Sequence, residues 1–208
     1  MKSHIQKSIL GLTLLSGVLA LGGCFPLVMG GAMTGVLVAS DRRTSGTVVE
    51  DNAIQLKAGN RIDDALGERV HINTTSYNRQ LLLTGEVPSE QDKQLAEKAV
   101  SGVENLRNVV NELAVLGKST LAQRSSDTLV TSRVKANLID AKDLFANAFK
   151  VTTERGTVYL MGRVTQREAN RATEVVSGTS GVQRLVRILE IISEDELANM
   201  LPAPDTKK

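Results

Sequence analysis

Tryptophan is absent from the 208 residues, and three Phe and two Tyr are the only aromatic side chains. Five scattered rings do not make the stacking platform on which single-stranded nucleic acid is bound. Histidine occurs twice, at His4 and His71. A catalytic triad, a His-ligated metal or an imidazole base would rest on His71 alone if a cleaved leader removed His4. A single cysteine, Cys24, excludes an internal disulfide and any CxxC or Cys/His metal cluster. Long apolar runs are also missing. The most apolar stretch, residues 9–21, falls short of the ~20 residues a membrane span needs. These shortages leave no catalytic residue, no metal ligands and no cofactor to nominate, and the sequence suggests no small-molecule substrate.

What is present begins at the N-terminus. Lys2 and Lys7 precede the apolar stretch and small residues follow it, the order of a secretory signal. Leu21-Gly22-Gly23-Cys24 resembles a bacterial lipobox, although Ala or Ser is commoner than glycine at the Gly22 position. The resemblance implies cleavage before Cys24 and lipid attachment to it. One acyl chain holds a protein marginally at a membrane, and two or more anchor it stably. Lipoproteins kept in the inner membrane usually carry Asp after the cysteine. Phe25 stands there instead, which implies sorting to the outer membrane. Residues 1–23 are therefore expected to be a signal peptide and 24–48 a lipid-anchored tether. Gly31 and Gly35 have a GxxxG spacing, but the segment is short and broken by Pro26 and Gly30. No GK[ST] follows the glycines, so they form no phosphate loop.

The remainder contains itself twice. "DNAIQLKAGNRI" from Asp51 matches "DTLVTSRVKANL" from Asp127, "INTTSYNRQLLLTGEV" from Ile72 matches "VTTERGTVYLMGRV" from Val151, and "NLRNVVNELAV" matches "GVQRLVRILEI". The offset is about 76 to 79 residues, with a longer first hairpin turn expected in copy one. In copy two Asp127 is expected to cap a helix with Val130, Val134, Leu138 and Ala141 at helical spacing. A strand near residues 150–153, a tight Arg155-Gly156 turn and a strand over 157–164 follow. Thr165 and Glu168 form a capping-box pattern for a second helix, and 185–192 is a last strand. Ser89 and Asp92 open the matching helix of copy one. The predicted fold is α+β: two tandem α-β-β-α-β units, each with two helices on a three-stranded mixed sheet. They are expected over 49–117 and 126–192, with a linker at 118–125 and a flexible tail at 193–208.

The glycine late in the second strand (Gly85, Gly162), Gly181-Val182 before the last strand, and the twofold element order resemble BON domains. With the lipobox and the "DRRTSG" tether, the whole resembles the dual-BON outer-membrane lipoproteins. That resemblance implies a non-catalytic, periplasm-facing protein that binds anionic phospholipid, phosphatidylglycerol or cardiolipin, through its second domain and supports envelope integrity. The alternative is an assembly factor that holds a protein partner in an envelope biogenesis machine.

Charge separates the copies. Residues 50–118 carry 8 Lys/Arg against 11 Asp/Glu, a net of −3, and residues 119–192 carry 11 against 7, a net of +4. The basic copy is the candidate for an anionic surface. On its first helix Val130, Val134, Asn137, Leu138 and Ala141 are assigned to the core. Leu129, Ser132, Ala136 and Ile139 fall on the opposite side, beside Arg133 and Lys135. These six are the expected phospholipid-binding residues, an apolar wedge with basic flanks. The matching positions of copy one, Ala53, Gly59, Asn60 and Asp63, are small, polar or acidic and would not insert. Related proteins carry Trp at the Leu129 position, so the leucine implies a weaker hold on the interface.

Other features have plainer accounts. "SGTSG" from Ser177 reads as a helix-to-strand connection rather than an anion cradle. Glu86, Glu90, Asp92 and Glu97 read as a solvated acidic face. Basic clusters could meet duplex nucleic acid, but an exported lipoprotein implies no such partner. The tail is expected to open with a short helix at Ser193 and to continue without structure past Pro202 and Pro204.

Overall fold

The structure is a computed structural model and describes residues 41–200; Cys24 and the tether up to residue 40 lie outside the described residues, as does the end of the tail. The first unit runs α1 (Ser45–Leu66), β1 (His71–Tyr77), β2 (Gln80–Val87), α2 (Glu90–Val100), β3 (Asn108–Asn111) and β4 (Ala114–Val115). The second runs α3 (Leu121–Asp140), β5 (Phe149–Glu154), β6 (Thr157–Thr165), α4 (Gln166–Ser177) and β7 (Arg184–Ile192), followed by α5 (Glu194–Met200). In each sheet the second strand is central, antiparallel to the first and parallel to the third. This is the α+β architecture expected.

Each unit buries one face of its sheet under two helices. Ile54, Ala58, Ile62 and Leu66 of α1 meet Leu81, Leu83 and Val87 of β2 and Ala96 and Val100 of α2. Val130, Val134 and Leu138 of α3 meet Val158, Leu160 and Val164 of β6 and Ala169, Ala172 and Val176 of α4. Helical spacing on one side and alternation on the other produce these cores. The opposite sheet faces are also buried, against each other: Tyr77, Leu82, Tyr159, Met161 and Ile188 form one cluster, with Val110 and Val186 packed on it. The edge strands β1 and β5 approach there, with Thr75 and Thr152 hydroxyls 3.4 Å apart and Asn73 Nδ2 donating to Glu154 at 2.9 Å. The Tyr77 hydroxyl donates to the Ala148 carbonyl (3.2 Å) and accepts from the Arg163 N–H (3.3 Å). Burial in this seam pushes the Tyr77 phenol up to about 12.

Asp127 has a different task from the one expected. It lies inside α3, which starts six residues earlier. Thr120 caps that helix in a capping box with Gln123. The buried Asp127 carboxylate instead accepts from the N–H groups of Arg155 (2.8 Å) and Gly156 (2.9 Å). Asp51 does the same in the first unit, taking the N–H groups of Asn78 and Arg79 at 2.7 Å each and the Ser76 hydroxyl at 2.7 Å. Both central residues of each hairpin have positive φ (Asn78 51°, Arg79 66°; Arg155 49°, Gly156 71°). This backbone matches strand twist but suits few residues, and the buried carboxylate holds it from below. The two turns are therefore equal in length, and the expected longer turn in copy one is not there.

The repeated glycine has a steric cause. Gly85 pairs with Ile72, and Gly162 with Phe149. A Cβ at Gly85 would lie 2.1 Å from the His71 carbonyl oxygen, and one at Gly162 would lie 2.6 Å from that of Ala148.

Other boundaries also moved. The last strand of the first unit is broken at Glu112–Leu113, whereas β7 is continuous. Helix α1 begins inside the expected tether, and α3 begins inside the expected linker. The start of the expected flexible tail is α5, held by the buried Leu197 and by ion pairs of Glu194 with Arg167 and Glu196 with Arg163.

Candidate functional site

Helix α3 presents the six expected residues to solvent. Leu129 is 58% exposed and Ile139 68%; Ser132, Arg133, Lys135 and Ala136 are exposed too. Of the five residues assigned to the core, Val130, Val134 and Leu138 are buried and Ala141 is partly buried. Asn137 is not. It lies at the rim, where its side-chain amide donates to Thr179 Oγ1 at 2.9 Å.

The early start of α3 lengthens the face. At 100° per residue, Leu121, Ser132, Ala136, Leu129 and Ile139 occupy an arc of about 80°, with Arg133 about 40° beyond one edge and Lys135 about 40° beyond the other. Leu121 is 80% exposed and Phe145, just past the helix, is 52% exposed. Sequence reading missed both, although the Thr-x-x-Gln pattern at Thr120 and Gln123 was a legible start signal.

Partnering distinguishes the basic groups. Arg133 and Lys135 make no hydrogen bond or ion pair among the described residues, and Arg124 donates only to the Ser119 hydroxyl. On α4, by contrast, Arg167 pairs with Glu194, and Arg171 with Asp143 and Glu174. The acidic Asp127 of α3 is turned inward and saturated by backbone donors. The other acid of the helix, Asp140, is exposed at the C-terminal end between the Leu129 and Arg133 positions, so the outward charge of α3 is three cations, Arg124, Arg133 and Lys135, against one carboxylate.

Three recesses border the helix. One of about 430 Å³ includes Arg133 and Arg155. One of about 470 Å³ lies between α3, β1 and β5, and includes Arg124, Thr128, Ser132 and Lys135. One of about 380 Å³, lined by Asp41, Lys135, Leu138, Ile139 and Phe149, closes the C-terminal end. Among the described residues no helix is long and apolar enough to cross a membrane.

The matching face of α1 differs. With Asp51 set on Asp127, the counterparts of Leu129, Ser132, Ala136 and Ile139 are Ala53, Leu56, Asn60 and Asp63. Leu56, rather than Gly59, stands opposite Ser132, and it is 66% exposed. The counterpart of Arg133 is Lys57, which is committed to Glu104 at 3.0 Å. Gly59 replaces Lys135.

Glu86 does not join a solvated acidic face. It is buried at the seam, accepting from His71 Nδ1 (2.9 Å), the Ser119 N–H (3.1 Å) and Arg155 Nη1 (3.3 Å). Burial opposes its ionisation, but these donors outweigh it and hold the carboxyl below its usual range. Burial raises the neighbouring Glu154 carboxyl. His71, Glu86 and Glu154 place potential ligand atoms within 4.8 Å of one another. With Arg155 and the Ser119 amide already on Glu86, the group ties the two units together at the seam.

Two tandem α-β-β-α-β units, each with two helices on one face of a mixed sheet, define the fold class. Residues 50–117 and 126–192 each match the BON domain, and the chain belongs to the BON-domain family. Over 181 residues it is 35% identical to the outer membrane lipoprotein DolP of Haemophilus influenzae, covering 86% of this chain and 94% of that protein. The 21 kDa hemolysin of Actinobacillus pleuropneumoniae is 29% identical over 154 residues (73% of this chain, 79% of that one). The osmotically-inducible protein Y of Escherichia coli is 28% identical over 157 residues (72% and 76%). The near full-length likeness to DolP places this protein with the outer membrane lipoproteins built on BON domains.

Proposed function

We propose that the protein is held by a lipid on Cys24 at the periplasmic side of the outer membrane, and that its second BON domain binds anionic phospholipid there through the outward face of α3. The role is non-catalytic support of envelope integrity. The observation that carries this reading is the exposed Leu121–Leu129–Ile139 row flanked by the uncommitted Arg133 and Lys135, in the unit of net charge +4.

Magnitudes favour a weak contact. Burying a Leu or Ile side chain in an apolar medium contributes at most about 1.5–3 kcal/mol. A Lys or Arg near an anionic surface adds about 1 kcal/mol. Partial insertion of two apolar residues with two cations gives on the order of 5 kcal/mol, a dissociation constant of roughly a few tenths of a millimolar. The face would discriminate between lipids more than it would anchor.

The test is co-sedimentation of soluble protein lacking Cys24 with vesicles. Binding is expected with phosphatidylglycerol or cardiolipin, falling with salt, and absent with phosphatidylcholine. Leu129→Glu with Ile139→Glu should abolish it at unchanged fold. Equal sedimentation of the double variant would sink the reading. A protein partner is a second reading, favoured by the exposed Val49 and Leu56 on the acidic unit; it would require a pulled-down envelope protein and no direct vesicle binding.

A further inference from the structure

The first described residues of the chain are fastened to both domains. Arg42 reaches into the second, where its guanidinium grips Glu168 in two parallel bonds of 2.7 Å and donates to the Arg163 carbonyl at 3.0 Å. The two side chains are 5% and 2% exposed. Arg43 turns to the first unit, bonding Asp51 at 2.8 Å and lying 4.3 Å above the Tyr77 ring, while Asp41 holds it at 2.7 Å. Asp41 itself lines the recess that contains Lys135, Leu138 and Ile139. The chain therefore leaves the body beside the C-terminal end of the α3 face.

A bidentate, buried Arg–carboxylate pair fixes geometry more surely than it adds stability. Glu168 is already the capping-box residue of α4, accepting from the Thr165 N–H at 3.0 Å, so this carboxylate ties the entering chain to a helix start. Exit position matters because residues 25–40 reach at most about 55 Å. A compact body of this size is about 40 Å across, so an exit on the far side would use up most of that reach.

We propose that residues 41–43 are a latch that sets the exit of the tether at the base of the α3 face, so that the lipid on Cys24 and the α3 face address the same leaflet. This rests on the reading of α3 given above and adds how the site is presented. A short tether raises the local concentration of a weak site to the order of millimolar, comparable to the affinity of such a face. The latch keeps that gain by holding the face toward the leaflet that carries the anchor.

The test replaces the latch without stranding a buried charge: Arg42→Met with Glu168→Gln, since Gln also serves at that position of a capping box. Single Ser132→Cys labels with an environment-sensitive dye report insertion in two forms of the full mature chain. One is lipidated and reconstituted in phosphatidylethanolamine vesicles of graded phosphatidylglycerol content. The other is the soluble Cys24→Ser chain added to the same vesicles. Expected is a threefold or greater rise in the phosphatidylglycerol needed for half-insertion by the lipidated latch variant, with the soluble pair indistinguishable. Unchanged insertion of the lipidated variant would overturn the latch. Equal weakening in both forms would overturn it as well, because the effect would then lie in the fold of the second domain. If neither wild-type form inserts at any content, the reading of α3 fails and the latch with it, a result separable from the first two. A circular-dichroism melt of the variant confirms folding.

Discussion

The two units share a fold, a strand register and the same buried Asp beneath the same hairpin, yet their outward helices are opposites. On α3 the exposed apolar residues stand between Arg133 and Lys135, which make no ion pair among the described residues, with Asp140 the one exposed acid of the helix. On α1 the exposed Leu56 shares its outward side with Asp63, and Lys57, the counterpart of Arg133, is held by Glu104. BON architecture therefore does not specify a membrane surface. It supplies a helix whose inner face is fixed by the core and whose outer face can be assigned freely.

The largest expected effect tests what the units share. Asp127→Ala and Asp51→Ala each strand buried turn N–H groups that a carboxylate now satisfies, at on the order of 3 kcal/mol in urea unfolding. Asp51 also serves Ser76 and Arg43, so its loss should cost more; equal losses would mean the extra partners contribute nothing. The next tests what differs. Moving the face to the first unit with Ala53→Leu, Gly59→Lys and Asp63→Ile, in a background carrying Leu129→Glu and Ile139→Glu, should restore measurable binding to anionic vesicles. At about 1.4 kcal/mol per tenfold, recovery of tenfold or more over the background is expected. No recovery would show that the site needs more than apolar and basic groups on a BON helix.

The pH responses of two buried carboxyls should also diverge. Glu168 is buried, which alone would raise it, but Arg42 and the Thr165 N–H hold it below its usual range. Its contribution is present above the unfolded value of about 4.3 and is lost as pH falls toward the folded one. Glu154 is raised, first by burial and also by Glu86 and Asp127. Its contribution is present in acid and lost as pH climbs from about 4.3 through its folded value. Glu168→Gln should therefore flatten the acid limb of the stability curve, and Glu154→Gln the limb just above it. Denaturant titrations from pH 3 to 8 separate them. The smallest effect concerns the Thr84 hydroxyl, buried at the seam without a hydrogen-bond partner among the described residues. Thr84→Val should stabilise by about 1 kcal/mol, read as a raised Tm.

Local signals were legible and distant ones were not. Ser89, Thr165 with Glu168, the apolar spacing of α3 and its outward face could all be read because each depends on neighbours within a turn or two. Asp127 misled because aspartate is a good helix cap; its true partners lie across the hairpin. The seam left a trace in β6, where Val158, Tyr159, Leu160 and Met161 are apolar in succession, the pattern of a strand covered on both faces. Alternation alone suggested one face. The Arg42–Glu168 pair spans 126 residues, and nothing local to either residue announces it.

The seam has one more consequence. Thr75 and Thr152 hold the same place in their respective hairpins, as do Leu82 and Tyr159, and as do Val110 and Val186 by strand register. Like meets like across the contact, which is the signature of an isologous, two-fold interface. The chain is arranged as a homodimer of one BON unit would be, made permanent by a covalent join. In that arrangement the outward surface of one half is separate from the contact, and the two halves do differ there, with net charges of +4 and −3.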